Sequence, residues 1–157
     1  MLRLDSKHAE AIRQHAVRDY PRECCGILLG SAEGDLKRVR DVVPLPNLRS
    51  DPQRSGELLP LADPEHESAR NRYFVDPMDL LRVVKEARTR GLDVVGYYHS
   101  HPDQPAQPSA HDREMAWPRY SYLIVAIEHG EPRELTCWVL PGNSDVFEPE
   151  PLELVKP

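Results

Sequence analysis

Residues 97–112 read YYHSHPDQPAQPSAHD, and this stretch holds a pair of histidines, His99 and His101, two positions apart. The aliphatic run at residues 92–96 follows a glycine and predicts a buried strand that continues to residue 101. Side chains two apart on a strand point to the same face with roots about 6–7 Å apart, so both imidazoles can reach one metal ion. Pro102 has no N–H to donate, so the strand should end there and the ligands should lie where the sheet opens into a loop.

Asp112 follows a proline-rich loop and can return to the same point as an oxygen ligand. Two histidines and one carboxylate leave a fourth tetrahedral position for water, which is the pattern of a catalytic zinc rather than a structural one. The segment Ser109-Ala-His-Asp112 also has the pattern of a capping box, with serine as the N-cap residue and an acid three residues later. Capping is the commoner use of such a motif, and the spacing alone leaves both interpretations open.

Glu23 stands at the entrance to a second apolar run, Cys24–Gly30, which predicts another buried strand. Alternation along that strand places Cys25, Ile27 and Leu29 on the same face as this glutamate. The simpler interpretation is a surface glutamate between a helix and a strand. The functional interpretation is a general base held in a partly dry cleft, where desolvation would raise its pKa toward the working range.

Five residues, which are in chain order a glutamate, two histidines, a serine and an aspartate, resemble the signature of the JAMM (MPN+) metalloprotease family. Residues 99–102 read HSHP, the motif S-x-x-D follows at residues 109–112 with the family's spacing, and residues 21–26, PRECCG, resemble the segment that carries the family's glutamate. The order of elements also fits the family over most of the chain. The resemblance implies an α/β fold with a mixed central β-sheet flanked by helices, of the cytidine-deaminase-like MPN/JAMM type.

The resemblance also implies a role for each matching residue. The residues that match the zinc ligands are His99, His101 and Asp112, with water as the fourth ligand of one ion. The residue matching Glu23 handles the protons of the attacking water, and the one matching Ser109 steadies the reaction intermediate. His111 is a rival ligand, but the position of the neighbouring aspartate matches the family pattern.

The function implied by the resemblance is hydrolysis of amide or isopeptide bonds at the C-terminal tails of ubiquitin-like or sulfur-carrier proteins. A non-catalytic MPN-type scaffold for protein interactions is the alternative, although a scaffold would be expected to lack the ligands. A cysteine peptidase would use Cys24 or Cys25 with a histidine. A nucleobase deaminase would need an H-x-E motif together with P-C-x-x-C, and the sequence has no P-C-x-x-C.

Composition limits the setting in which this chemistry would take place. The chain has 157 residues, enough for one domain with one core, and its net charge of −6 argues against nucleic acid as a partner. The sequence contains no run of eighteen apolar residues, so it predicts no membrane span, and residues 1–10 lack the apolar centre of a signal peptide. Three cysteines make no disulfide framework, so we expect a cytoplasmic protein, with a homodimer among the oligomeric states left open.

We expect one domain over residues 1–140, with a long loop insertion at 47–72 that includes His66. Residues 141–157 are rich in proline and glutamate and predict a tail that is extended on the surface or disordered. His8 and His15 are interpreted as surface residues of the first helix. The sequence predicts helices over residues 5–20, 78–90 and 109–117, and strands over 24–30, 35–45, 73–75, 92–101, 120–127 and 134–140.

Overall fold

The computed structural model describes residues 1–48, 73 and 75–157. The helices in this part of the chain are α1 (Ser6–Asp19), α2 (Pro77–Thr89) and α3 (Ala110–Met115). The strands in the same part are β1 (Leu2–Asp5), β2 (Cys25–Glu33), β3 (Leu36–Leu45), β4 (Asp93–Pro102), β5 (Ser121–Glu128), β6 (Glu131–Val139), β7 (Glu148–Pro149) and β8 (Leu152–Val155). None of the helices over 1–48 and 75–157 is long and apolar enough to cross a membrane.

The strands form one mixed sheet in the order β7-β6-β5-β4-β2-β3-β1-β8. Strand β4 lies near the middle, antiparallel to β2 and parallel to β5. The other parallel pairs are β1 with β3 and β1 with β8. This arrangement confirms the predicted α/β class with a mixed central sheet, and it places the histidine-bearing strand between two neighbours that are both largely buried.

Helices pack on both faces of the sheet. The apolar side of α1, with Ala9, Ile12 and Ala16, packs against residues such as Leu28 and Leu123 on one face. On the opposite face, residues of α2 pack against alternate residues of β2 and form a second core, which contains Cys25, Ile27, Leu29, Val83 and Ala87. The alternation predicted for the second strand is therefore observed, and the side chains of β4 divide between the two faces in the same way.

The helix ends follow the local capping signals. Asp5 caps α1 by accepting a hydrogen bond from the backbone N–H of Lys7. Asp76 caps α2 in the same way, accepting from the N–H of Met78, and Pro77 occupies the first helical position, where a missing N–H costs nothing. Both caps lie where the sequence predicts a helix start.

Gly26 on β2 makes room for the aromatic ring of Tyr98 on the neighbouring strand β4. A Cβ at this position would lie 2.1 Å from Cε1 of Tyr98, so any side chain there would collide with the aromatic ring. Tyr98 is almost fully buried on the α1 side of the sheet, and its neighbours in sequence, Tyr97 and His99, face the other side. The glycine therefore lets the ring cover β2 without moving β4, which carries the site.

The structure corrects three expectations. His15 is buried rather than at the surface, and its Nδ1 lies 2.8 Å from the hydroxyl of Tyr98. Tyr73 and Val75, expected in a short strand, lie in no strand. Residues 141–157, expected as an extended or disordered tail, contribute β7 and β8 to opposite edges of the sheet. These strands have two and four residues, too few for a periodic pattern to be visible in the sequence.

The insertion expected at residues 47–72 falls outside the described residues except for its first two, Asn47 and Leu48. Both of these are buried, and they continue from the end of β3. His66 lies outside the described part of the chain.

Candidate active site

The two histidines of β4 lie side by side at the end of the strand. Their Nε2 atoms are 3.1 Å apart, and both residues are almost completely buried, with 1% of His99 and 3% of His101 exposed. Strand β4 ends at Pro102, as predicted, and the chain then turns into the loop that leads to α3. The strand periodicity therefore brings both imidazoles to one point at the mouth of the sheet.

Asp112 meets both rings. Its Oδ1 lies 3.1 Å from Nε2 of His99, and its Oδ2 lies 3.0 Å from Nε2 of His101. The carboxylate is itself buried, with 7% of the residue exposed. Two imidazole nitrogens and a carboxylate thus converge in a site largely closed to solvent, and this donor set fits a divalent cation such as zinc.

The capping box is present, and so is the cluster of His99, His101 and Asp112, so the two interpretations of this segment are not alternatives. Ser109 caps α3, and its Oγ accepts a hydrogen bond from the backbone N–H of Asp112 at 3.0 Å. In return, the backbone N–H of Ser109 donates to Oδ2 of Asp112 at 2.9 Å. The cap fixes the start of a six-residue helix and at the same time turns the carboxylate toward the histidines.

The ionisation of Asp112 follows from these contacts. Burial alone would raise the pKa of this carboxyl group, but its contacts with the His99 and His101 imidazoles and the hydrogen bond from the Ser109 backbone outweigh that effect. Together they hold the pKa of Asp112 well below its usual range. The group is therefore an anion at neutral pH, as a metal ligand must be.

The second nitrogen of His101 is also fixed. Its Nδ1 lies 2.7 Å from the carbonyl oxygen of Pro105, and a carbonyl can only accept, so Nδ1 carries the hydrogen. In the neutral ring this leaves the lone pair on Nε2, the atom that faces His99 and Asp112. The proline-rich loop after β4 thus orients one of the candidate ligands. Tyr73 does the same by packing, because its ring stacks on that of His99 with centroids 4.9 Å apart.

Glu23 lies beside the histidine pair. It precedes β2, has 3% of its surface exposed, and offers an oxygen within 4.8 Å of a ring nitrogen of each histidine. Because Cys25 is paired with His99 across the sheet, two further residues along each strand bring Glu23 beside His101 on the same face. Antiparallel pairing therefore brings the Glu23 carboxylate to the site, although this residue precedes His99 by 76 positions in the sequence.

The cysteines do not form a nucleophilic site. Burial raises the pKa of the Cys24 thiol to about 12 and that of Cys25 well above its usual range, so neither is a thiolate at neutral pH. Both side chains pack in the two apolar clusters of the sheet. The cysteine-peptidase interpretation is therefore disfavoured.

Two polar residues at the site were not singled out by the sequence. Asn47 donates a hydrogen bond from Nδ2 to the carbonyl oxygen of Glu23 at 3.0 Å, and Ser100 accepts one at Oγ from the backbone N–H of Cys24 at 2.8 Å. Ser100 stands between the two histidines in HSHP, and this position is the sequence feature that could have indicated its place at the site. Nothing near Asn47 in the sequence indicates its contact.

Comparison with known proteins gives the family. A family described as prokaryotic homologs of the JAB domain matches residues 5–141. The chain is 35% identical over 115 residues to the desampylase of Haloferax volcanii, covering 73% of this chain and 69% of that protein. It is 34% identical over 138 residues to a probable TtuB-protein conjugate cleaving protease of Thermus thermophilus, covering 87% and 74%. The CysO-cysteine peptidase of Mycobacterium tuberculosis is 26% identical over 140 residues, covering 88% and 82%.

A solved structure agrees with this match. The solution structure of a protein from Desulfitobacterium hafniense superposes with a TM-score of 0.77 at 31% identity, and the match covers 100% of this chain and 94% of that one. The fold, the long family match and the named peptidases among the relatives agree with one another. The chain belongs to the prokaryotic JAB-domain family and is a hydrolase of that family.

Proposed function

We propose that this chain is a zinc-dependent peptidase that hydrolyses amide or isopeptide bonds at the C-terminal tails of ubiquitin-like or sulfur-carrier proteins. The observation that carries the proposal is the buried convergence of His99, His101 and Asp112, with Glu23 beside them. The names of the relatives support the substrate class, since they describe cleavage of protein conjugates and of a CysO–cysteine linkage.

The metal would be held by the two Nε2 atoms and the carboxylate of Asp112. When bound there, zinc would supply a Lewis acid for the scissile carbonyl and lower the pKa of a water molecule in its remaining position. The burial of all three ligands keeps the local dielectric constant low, which strengthens any interaction with the developing charge.

Glu23 is proposed to move the protons. Its carboxylate lies within 4.8 Å of the histidine nitrogens, so it can reach a water molecule held at the same point. It would take a proton from the attacking water and return it to the leaving amine, so that the carboxylate is regenerated at the end of each cycle. Its place in a buried cluster limits competing contact with bulk water.

Ser109 is proposed to donate a hydrogen bond to the oxyanion that forms when the carbonyl is attacked. In the capping box its Oγ acts as an acceptor from the backbone of Asp112, so its own hydrogen stays available for donation. The residue is exposed to solvent, which is where a substrate carbonyl would have to arrive. Capping and catalysis therefore use different parts of the same hydroxyl group.

The test joins metal analysis to a cleavage assay. The substrate is a ubiquitin-like carrier with a C-terminal extension, joined either through the backbone amide or through a lysine side chain, and it is incubated with and without a chelator. We expect one zinc per chain and cleavage that the chelator abolishes. His101→Ala should lose both, whereas His129→Ala, at an exposed turn, should keep both. Cleavage that survives complete removal of zinc would overturn the proposal.

The scaffold alternative gives a different result in the same assay. A scaffold would bind the carrier without cutting either linkage, whether or not zinc is present. The comparison of the two linkages also decides whether the enzyme acts on isopeptide conjugates, on linear extensions or on both. The cytoplasmic setting, the absence of a nucleic-acid partner and the homodimer all stay predictions.

A further inference from the structure

The peptide that joins Glu23 to Cys24 lies just outside the regular hydrogen-bond ladder of the sheet. Strand β2 begins at Cys25, which pairs with Leu45 of β3 on one side and with His99 of β4 on the other. On the β3 side the ladder does not continue, because β3 ends at Leu45. The backbone that carries the proposed proton-transfer residue therefore needs other partners.

Two side chains supply those partners, one from β4 and one from the segment that follows β3. The carbonyl oxygen of Glu23 accepts from Nδ2 of Asn47 at 3.0 Å, and the N–H of Cys24 donates to Oγ of Ser100 at 2.8 Å. These are the two polar atoms of one and the same peptide unit. The N–H of Ser100 also donates to the carbonyl oxygen of Cys24 at 3.1 Å, so the serine contacts the segment twice.

All the groups involved are buried. The exposed fraction is 6% for Asn47, 0% for Ser100 and 3% for Glu23. A peptide unit is planar, so hydrogen bonds to both its oxygen and its N–H restrict the rotation of the whole unit. Water cannot easily replace either partner at such depth, and loss of one would leave a buried polar atom unsatisfied.

We propose that Asn47 and Ser100 form a clamp on the 23–24 peptide that positions the Glu23 carboxylate over the metal ligands. The inference rests on the proposed function. Ser100 lies between His99 and His101 in the sequence, so its hydroxyl ties the ligand strand directly to the segment that carries Glu23. The two residues are positioning residues, because they act through the backbone of Glu23 and do not touch the reacting atoms.

The test compares Ser100→Ala and Asn47→Ala with the parent enzyme. Each variant should keep its zinc and its KM for the extended carrier, while kcat falls about tenfold to a hundredfold, as expected for a misplaced catalytic group. Ser100→Thr keeps the hydroxyl and should restore most of the rate. Ser121→Ala is the matched control, since it removes another fully buried serine hydroxyl, one on β5 that bonds Lys37 and Glu150. It should lower stability without lowering kcat.

A double-mutant cycle separates positioning from general damage. With Glu23→Gln already present, Ser100→Ala should lower the residual rate no further, because no proton-transfer group is left to position. An equal loss of kcat in both backgrounds would overturn the clamp, as would unchanged kcat in both alanine variants of an active enzyme.

Amide exchange gives a readout that needs neither metal nor turnover. In the chelator-treated protein, the Cys24 amide should exchange faster in Ser100→Ala than in Ser121→Ala at matched global stability. Equal exchange in the two variants would overturn the clamp. If instead the parent enzyme cleaves no carrier while Cys24 exchange responds as expected, the proposed function fails and the clamp on the peptide stands.

Discussion

Nε2 of His99 lies 3.1 Å from Oδ1 of Asp112, although one residue lies near the end of a central strand and the other in a short helix beyond a proline-rich loop. Both groups are buried, and the aspartate is held in place by the capping box that begins the helix. The capping box at the start of the helix and the end of β4 therefore each contribute residues to one binding site.

Replacing the proposed proton-transfer group should separate metal binding from turnover. Glu23→Gln keeps the shape of the side chain and removes its basicity, so zinc content should stay at the parent level while kcat falls by about 10²–10⁴-fold. Metal analysis and steady-state kinetics on the same sample measure both quantities. Glu33→Gln, at the exposed end of β2, is the control and should match the parent. Parent-like turnover in Glu23→Gln would remove this residue from the mechanism.

Ser109 should show two separable effects. Ser109→Ala removes both the cap and the proposed donor, so stability should fall by about 1 kcal/mol and kcat by about 10²–10³-fold. Ser109→Thr keeps a hydroxyl able to serve both purposes and should recover most of each. Thermal unfolding and kcat, measured in parallel, test this. A loss of stability with an unchanged kcat would leave the serine with a capping role alone.

The buried His15 should make stability depend on pH. Burial lowers the pKa of His15, and although Asp19 acts in the opposite direction, the net shift is downward. The unfolded chain therefore binds a proton more readily than the folded protein, so this contribution is complete above the ordinary histidine value of about 6.5 and is lost as the pH falls below it. Melting temperatures of the chelator-treated protein at pH 7.5 and 5.5 measure the effect.

His15→Gln should reduce that pH dependence, because the replaced side chain does not titrate. His129→Gln alters an exposed histidine and should keep the dependence of the parent. The same slope in all three proteins would mean that other groups account for it. The groups that face His15 are Tyr98, Asp19 and Arg18.

Glu150 should matter for stability far more than its position near the C-terminus indicates. It is buried and accepts a hydrogen bond from Ser121, and the Lys37 ammonium lies 3.3 Å from its carboxylate. Glu150→Ala would leave that cation without its partner and should cost about 3 kcal/mol in the free energy of unfolding. Glu148→Ala, exposed on β7, is the control and should cost little. Denaturant unfolding measures both, and equal small losses would contradict the buried role.

The elements that the sequence predicted well are those whose signals are local. The strand that ends at Pro102 and the cap at Ser109 appear where they are predicted, and the helix Pro77–Thr89 lies close to its predicted bounds. Each depends on the chemistry of a few adjacent residues, such as a missing N–H or a short acceptor side chain. The strands that the sequence did not predict, β1, β7 and β8, are short and pair with strands that are mostly distant in the chain.

By itself, the sequence determined which residue types stand at which spacing, and therefore the class of fold and the donor set that can bind a metal. Only the tertiary structure decided that Glu23 reaches the histidines, that His15 is buried, and that Asn47 and Ser100 hold one peptide between them. The physical reason is that spacing acts through the local periodicity of the backbone, whereas these contacts depend on strand pairing between residues that are far apart in the chain.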